Sequence, residues 1–102
     1  MSSEKKRIRQ SFRDAVFERD CRACRVCGRT NLPLDAHHII DRTLMPGGGY
    51  VASNGISLCP KCHEKAEQFH STGEAISGFS PEELYAMISS SHERAKRDSE
   101  RL

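Results

Sequence analysis

Tryptophan is absent from this sequence, and two tyrosines and four phenylalanines are its whole aromatic complement. Hydrophobic residues make up only 36% of the 102. A chain this short and this polar buries little apolar area, so a staple is expected to hold its fold. No apolar run approaches the roughly 20 residues that a bilayer-spanning helix needs, and no such helix is expected. The opening stretch, MSSEKKRIRQ, is basic but lacks the apolar segment of a secretory signal. The expected setting is intracellular, where disulfides are disfavoured and closely spaced cysteines point to metal.

What the sequence does have is five cysteines and an uneven distribution of charge. The formal net charge is +2. Nine Lys or Arg stand against four acids in residues 1–29, and seven against ten in the remainder. A basic front end on a near-neutral chain suits a polyanionic partner, and it equally suits a solvated helix face.

The length fits one domain, residues 1–102, and the patterning reads as α+β. Ile8, Phe12, Ala15, Val16 and the stem of Arg19 recur at helical steps, predicting a basic N-terminal helix over 4–19. Cys24-Arg25-Val26-Cys27-Gly28 reads as a tight turn. Residues 34–40 and 56–58 read as strands, and Met45-Pro46-Gly47-Gly48-Gly49-Tyr50 as a flexible loop. Pro60 suits the first turn of a helix running to about His70. Ser80-Pro81-Glu82-Glu83 is a capping-box start for a C-terminal helix over 81–98, with Leu84, Met87, Ile88, Ser91 and Ala95 inward.

Cys24-x-x-Cys27 and Cys59-x-x-Cys62 form two pairs separated by 31 residues. A two-residue gap lets both thiolates of a pair reach one ion from a single turn, and two such pairs complete a tetrahedral zinc site. Cys21/Cys24 is an alternative first pair. Gly28 favours Cys24/Cys27, leaving Cys21 a free thiol, partly buried at the end of the first helix. Four protein sulfurs leave no open coordination position, so this zinc would be structural.

Adjacent strand residues point to opposite faces, so His37 and His38 in Asp35-Ala36-His37-His38-Ile39-Ile40 have different tasks unless a distortion re-aims one of them. Downstream lies Asn54, then Leu58-Cys59-Pro60-Lys61-Cys62-His63, with eight residues between Asn54 and His63. Taken in order with Cys24-x-x-Cys27-Gly28 and the lead-in Glu18-Arg19-Asp20, this set resembles the HNH nuclease family, over Phe17 to Glu67, about half the chain.

The resemblance implies a small ββα-metal core over residues 17–70 with a structural four-cysteine zinc site, flanked by N- and C-terminal helices. It implies an endonuclease that hydrolyses DNA phosphodiester bonds with little sequence readout, placed against the minor groove. His38 would be the general base, and His37 and His63 ligands of a catalytic divalent ion, with Glu67 a third ligand or a partner of one. Asn54 would hold the loop between strand and helix and orient the base, or bind the ion itself. The ion would be Mg2+ or Mn2+ in the cell, and imidazoles also accept Zn2+ or Ni2+. Arg42, Arg19, Arg25 and Lys61 are candidate nucleic-acid contacts. For Arg42 a phosphate contact and a plain surface role weigh equally. Asp35 reads as a surface residue or a partner behind a ligand, and His70 and His92 as ordinary structural histidines.

Two other readings compete. One is a non-catalytic zinc module binding nucleic acid or protein. The other keeps the chemistry in an accessory subunit of a phage packaging or restriction system, as a homodimer or part of a larger assembly. The cytoplasm of a bacterium or phage-infected host is the expected location. Residues 72–102 fall outside the resemblance.

Overall fold

The computed structural model describes residues 3–102. Its elements run in the order α1 (Ser3–Arg19), β1 (Asp35–His38), three single 3-10 turns (Arg42–Leu44, Pro46–Gly48, Ala52–Asn54), β2 (Gly55–Leu58), α2 (Pro60–Thr72), α3 (Pro81–Met87) and α4 (His92–Ser99). The fold is α+β. Among the described residues no helix is long and apolar enough to cross a membrane.

β1 and β2 form a two-stranded antiparallel sheet in which Asp35 faces Leu58 and His38 faces Gly55. Every residue of β2 is buried. The reason is its sequence alternation. Small residues, Gly55 and Ser57, face α1, and Ile56 and Leu58 enter the main apolar cluster with Ala66, Leu84, Tyr85 and Ala95. A Cβ at Gly55 would lie 2.6 Å from Val16 and 2.7 Å from Phe12, so only glycine lets the helix sit this close to the strand. Phe12 and Val16 are the buried residues of α1, whereas Ala15 is exposed.

Strand β1 is shorter than the expected 34–40 because Asn54 takes over its pairing. Ile39 N–H donates to the Asn54 carbonyl at 2.9 Å, Ile40 N–H to its side-chain oxygen at 3.1 Å, and Asn54 Nδ2 to the Ile40 carbonyl at 3.1 Å. One buried side chain thus imitates a further strand residue. The glycine-rich segment 45–50, expected as a flexible loop, contains the 3-10 turn Pro46–Gly48, and Gly49 at φ 68° packs where a Cβ would meet Asn54 Nδ2 at 2.7 Å.

The expected single helix over 81–98 is two. Ser89 adopts φ 54°, Ser90 Oγ donates to the Ser53 carbonyl at 2.8 Å, and Ser91 caps α4 by accepting from Arg94 N–H at 3.1 Å. Three consecutive serines offer the backbone side-chain hydrogen bonds that a continuous helix cannot use, and the chain breaks there. The start is as expected: Ser80 and Glu83 form a reciprocal capping box.

Candidate functional site

Among the described residues, two groups of three or more metal-ligating side chains converge. The first is Cys24, Cys27, Cys59 and Cys62, whose sulfurs all lie within 4.8 Å of one another. Cys27 and Cys59 sulfurs are 3.7 Å apart. Tetrahedral zinc with bonds of about 2.3 Å places its sulfurs about 3.8 Å apart, so the four cysteines fit a zinc ion. The knuckle is made by Gly28 N–H closing on the Cys24 carbonyl at 2.8 Å, and Arg25 N–H ties it to β2 through the Ser57 carbonyl at 2.9 Å. Cys59 and Cys62 stand at the cap and first turn of α2. Burial pushes the Cys24 thiol up, but N–H groups of Cys27, Cys59 and Val26 outweigh it and bring it down to about 6. Burial and the neighbouring sulfurs push the Cys62 thiol up. Cys21 lies outside the cluster and is exposed, not partly buried as the sequence suggested.

The second group is centred on Glu67. His37, Glu67 and His70 offer ligand atoms within 4.8 Å of one another. His63, expected as a ligand, stands beside this group and is not one of its three members: its Nε2 is 3.1 Å from Glu67 Oε1, and its Nδ1 is 3.2 Å from Asp35 Oδ2. The ring of His37 lies 5.1 Å from that of His63 and 5.2 Å from that of His70. Neighbouring ligands at about 2.1 Å from an octahedral ion stand about 3 Å apart. The Glu67–His63 separation and the 3.6 Å between Glu67 Oε1 and His37 Nδ1 are close to that value.

His37 carries the strongest sign of a missing partner. It is 2% exposed, and its Nδ1 is buried with no hydrogen bond. Burial, reinforced by His63, His70 and His38, lowers its pKa to about 3. The ring is neutral at pH 7, so its approach to Glu67 is not an ion pair. A buried unsatisfied nitrogen costs about 1–3 kcal/mol, which a cation facing its lone pair would recover. The donor set of imidazoles and carboxylate fits a divalent ion.

His38 projects to the other face. Its ring stacks on Phe12 at 4.6 Å and meets Tyr50 edge-on at 4.8 Å, and its Nε2 is buried without a partner. Burial, then the nearby Arg42, lowers its pKa to about 4, against an opposing pull from Asp41. Both histidines nevertheless line one cavity of about 320 Å³, together with Arg13, Asp35, Asp41, Arg42, His63, Glu67 and His70. Arg42, bonded to Tyr50 Oη at 3.1 Å, also lines a neighbouring cavity of about 400 Å³ with Lys5 and Arg9.

Asn54 does not reach this cavity. Its amide is fully buried and committed to Ile40, Gly49 and the hydroxyl of Tyr85. That agrees with the role of holding the loop and differs from direct contact with an ion.

Two of the expected nucleic-acid contacts are used inside the fold instead. Arg19 grips Asp20 with two bonds of 2.8 Å and donates to the carbonyls of Ala52 at 2.8 Å and Gly55 at 2.7 Å. Burial alone would push the Asp20 carboxyl up, but Arg19 and the Ser57 N–H hold it below the ordinary range. Arg25 donates to the Met87 carbonyl and lies 3.6 Å from Asp20. These guanidiniums lock α1 and the knuckle to the sheet. Lys61 is exposed beside Glu64, Lys65 and Gln68, outside the histidine cavity. Arg42 alone of the four lines it.

Sequence reasoning missed His70, Tyr85 and Arg13 as site residues. A signal for His70 existed: His63, Glu67 and His70 fall at i, i+4 and i+7, one face of α2. Nothing local pointed to Tyr85.

The sequence model of the HNH endonuclease family matches residues 24–69. No curated protein and no solved structure matches the chain.

Proposed function

From the premise that this chain carries an HNH endonuclease domain over residues 24–69, we propose that it hydrolyses DNA phosphodiester bonds with His38 as general base. The observation on which this rests most heavily is the buried, unpartnered Nδ1 of His37 facing Glu67 in a cavity that also contains a neutral His38 and two arginines. His37, His63 and Glu67 would hold a divalent ion, Mg2+ or Mn2+ in the cell with Zn2+ or Ni2+ also accepted. Bound there, the ion supplies Lewis-acid charge at the scissile phosphate and the leaving 3′ oxygen.

The rest is work for the chain's own side chains. His63 Nε2 is hydrogen-bonded to Glu67 Oε1 at 3.1 Å, and Asp35 Oδ2 lies 3.2 Å from its Nδ1, so with an ion held at Nε2 the ring proton would shift to Nδ1, beside Asp35. His38 is uncharged at pH 7 and accepts a proton from water at Nδ1, since Nε2 is buried. Phe12 and Tyr50 hold the ring in place from two sides. Arg42 and Arg13 neutralise the substrate phosphate, and Arg42 presents the planar fork suited to it. A phosphate paired with Arg42 also cancels the positive charge that depresses the basicity of His38. Lys5 and Arg9 extend the basic surface along the DNA backbone, giving affinity without sequence readout. The four-cysteine zinc braces α2, on which His63 and Glu67 stand.

The test is nicking of supercoiled DNA with added Mg2+, Mn2+ or Ni2+, comparing wild type with His38→Ala. Loss of the base should slow cleavage by about 10²–10⁴-fold with DNA affinity retained. Equal rates would remove His38 from this role. Tight DNA binding with no cleavage under any ion would mark a non-catalytic zinc module.

A further inference from the structure

We propose that His70 is a ligand of the divalent ion, binding through Nδ1 while its Nε2–H clamps the His38 carbonyl. This deepens the nuclease reading and rests on its metal site. His70 lies one residue beyond the segment matched to the family.

The argument starts from a hydrogen bond. His70 Nε2 stands 2.9 Å from the His38 carbonyl oxygen. A carbonyl only accepts, so Nε2 carries the proton, and in a neutral imidazole Nδ1 then carries the lone pair. Metal-bound histidines characteristically donate their other ring N–H to a backbone carbonyl or carboxylate, which fixes the tautomer and the ring plane. His70 has that second partner already in place. The side chain also stands where an ion would be. One of its ring nitrogens lies within 4.8 Å of the ligand atoms of His37 and Glu67, and its ring stacks on that of His37 at 5.2 Å. The third observation is independent of both: His37 Nδ1 is buried without a hydrogen bond, 3.6 Å from Glu67 Oε1.

Three imidazoles and one carboxylate make a softer set than two imidazoles and one carboxylate. Such a site favours transition ions over Mg2+, which prefers oxygen and retained water. The clamp has a second consequence. His70 connects the ion to the backbone of the residue proposed as base, so ligand and base are held in one frame.

The discriminating variant is His70→Gln. Glutamine can still donate an N–H toward the His38 carbonyl, but its amide oxygen is a weaker ligand for transition ions than an imidazole nitrogen. Zinc-loaded protein is titrated with Co2+ and followed by calorimetry and visible absorption. His70→Gln should weaken Co2+ binding at least tenfold and alter the d–d bands, while the melting temperature stays near wild type. Wild-type affinity with an unchanged spectrum overturns the proposal. In wild-type protein, Co2+ should shift the His70 ring protons by direct contact, and unshifted signals overturn the proposal whether or not the variant folds. His37→Asn separates this from the underlying reading. If it abolishes Co2+ binding while His70→Gln does not, only the role of His70 fails. If it binds Co2+ like wild type, the ion site itself is wrong and both readings fall.

Discussion

The hydroxyl of Tyr85 donates to the side-chain oxygen of Asn54 at 2.7 Å, inside the protein and across 31 positions of sequence. Asn54 is the residue that closes the end of β1, and Tyr85 stands on α3, beyond the family-matched segment. The C-terminal block is therefore built into the support of the site. It is not an appendage.

Tyr85→Phe keeps the ring and removes this one donor. Asn54 Oδ1 retains the Ile40 N–H, so the expected loss is about 1 kcal/mol of stability. In a domain of this size that is about 4–8 °C in melting temperature. A melting curve superimposable on wild type would show that the bond contributes nothing net.

Stripping the zinc should unfold the domain. The four cysteines join the turn that follows α1 to the start of α2, and the remaining core is small. Cys62→Ser, or wild-type protein under a strong chelator, should lose its cooperative thermal transition and its far-ultraviolet helix signal together. A chelated sample that is verifiably free of zinc and melts like the holo form would contradict this.

Acid should weaken the fold through His37 and His38. In the unfolded chain each imidazole titrates near its ordinary 6.5, whereas in the folded protein burial brings them to about 3 and about 4. Between those values the unfolded chain binds protons that the native one does not. Their contribution is thus complete above about pH 6.5 and is lost progressively as pH falls toward 3. Urea midpoints from pH 7 to 4.5 should drop more steeply for wild type than for His37→Asn, which has no imidazole to charge. Parallel curves would mean that His37 is not buried neutral.

Part of the candidate site was legible through local spacing, and part through the resemblance to the HNH family. Two residues between cysteines place both sulfurs of a pair on one turn, and Cys59, Cys62, His63 and Glu67 belong to the cap and early turns of one helix. The helix start at Ser80 was legible on the same grounds. Its continuation was not, because Ile88 and Ala95 keep a helical apolar pattern while the serines between them make competing hydrogen bonds to Ser53 and to their own backbone. Arg19 and Arg25 looked like surface charge for the same kind of reason. A basic residue on a helix or knuckle has no local mark that distinguishes a phosphate contact from a carboxylate 1 or 5 positions away in sequence and buried by folding.

The sequence by itself marked the two cysteine pairs, through a spacing that metal geometry requires, and through its resemblance to the HNH family marked His37, His38, Asn54 and His63 as candidates. Only the tertiary structure decided what surrounds them. It brought His70 against His37, set Tyr85 beneath Asn54, turned Arg19 and Arg25 inward to Asp20, and left Arg42 at the cavity. The physical reason is that ligand and capping geometry act over a few residues, whereas burial and pairing depend on which faces of α1, α2 and α3 meet the sheet, and no single segment contains that information.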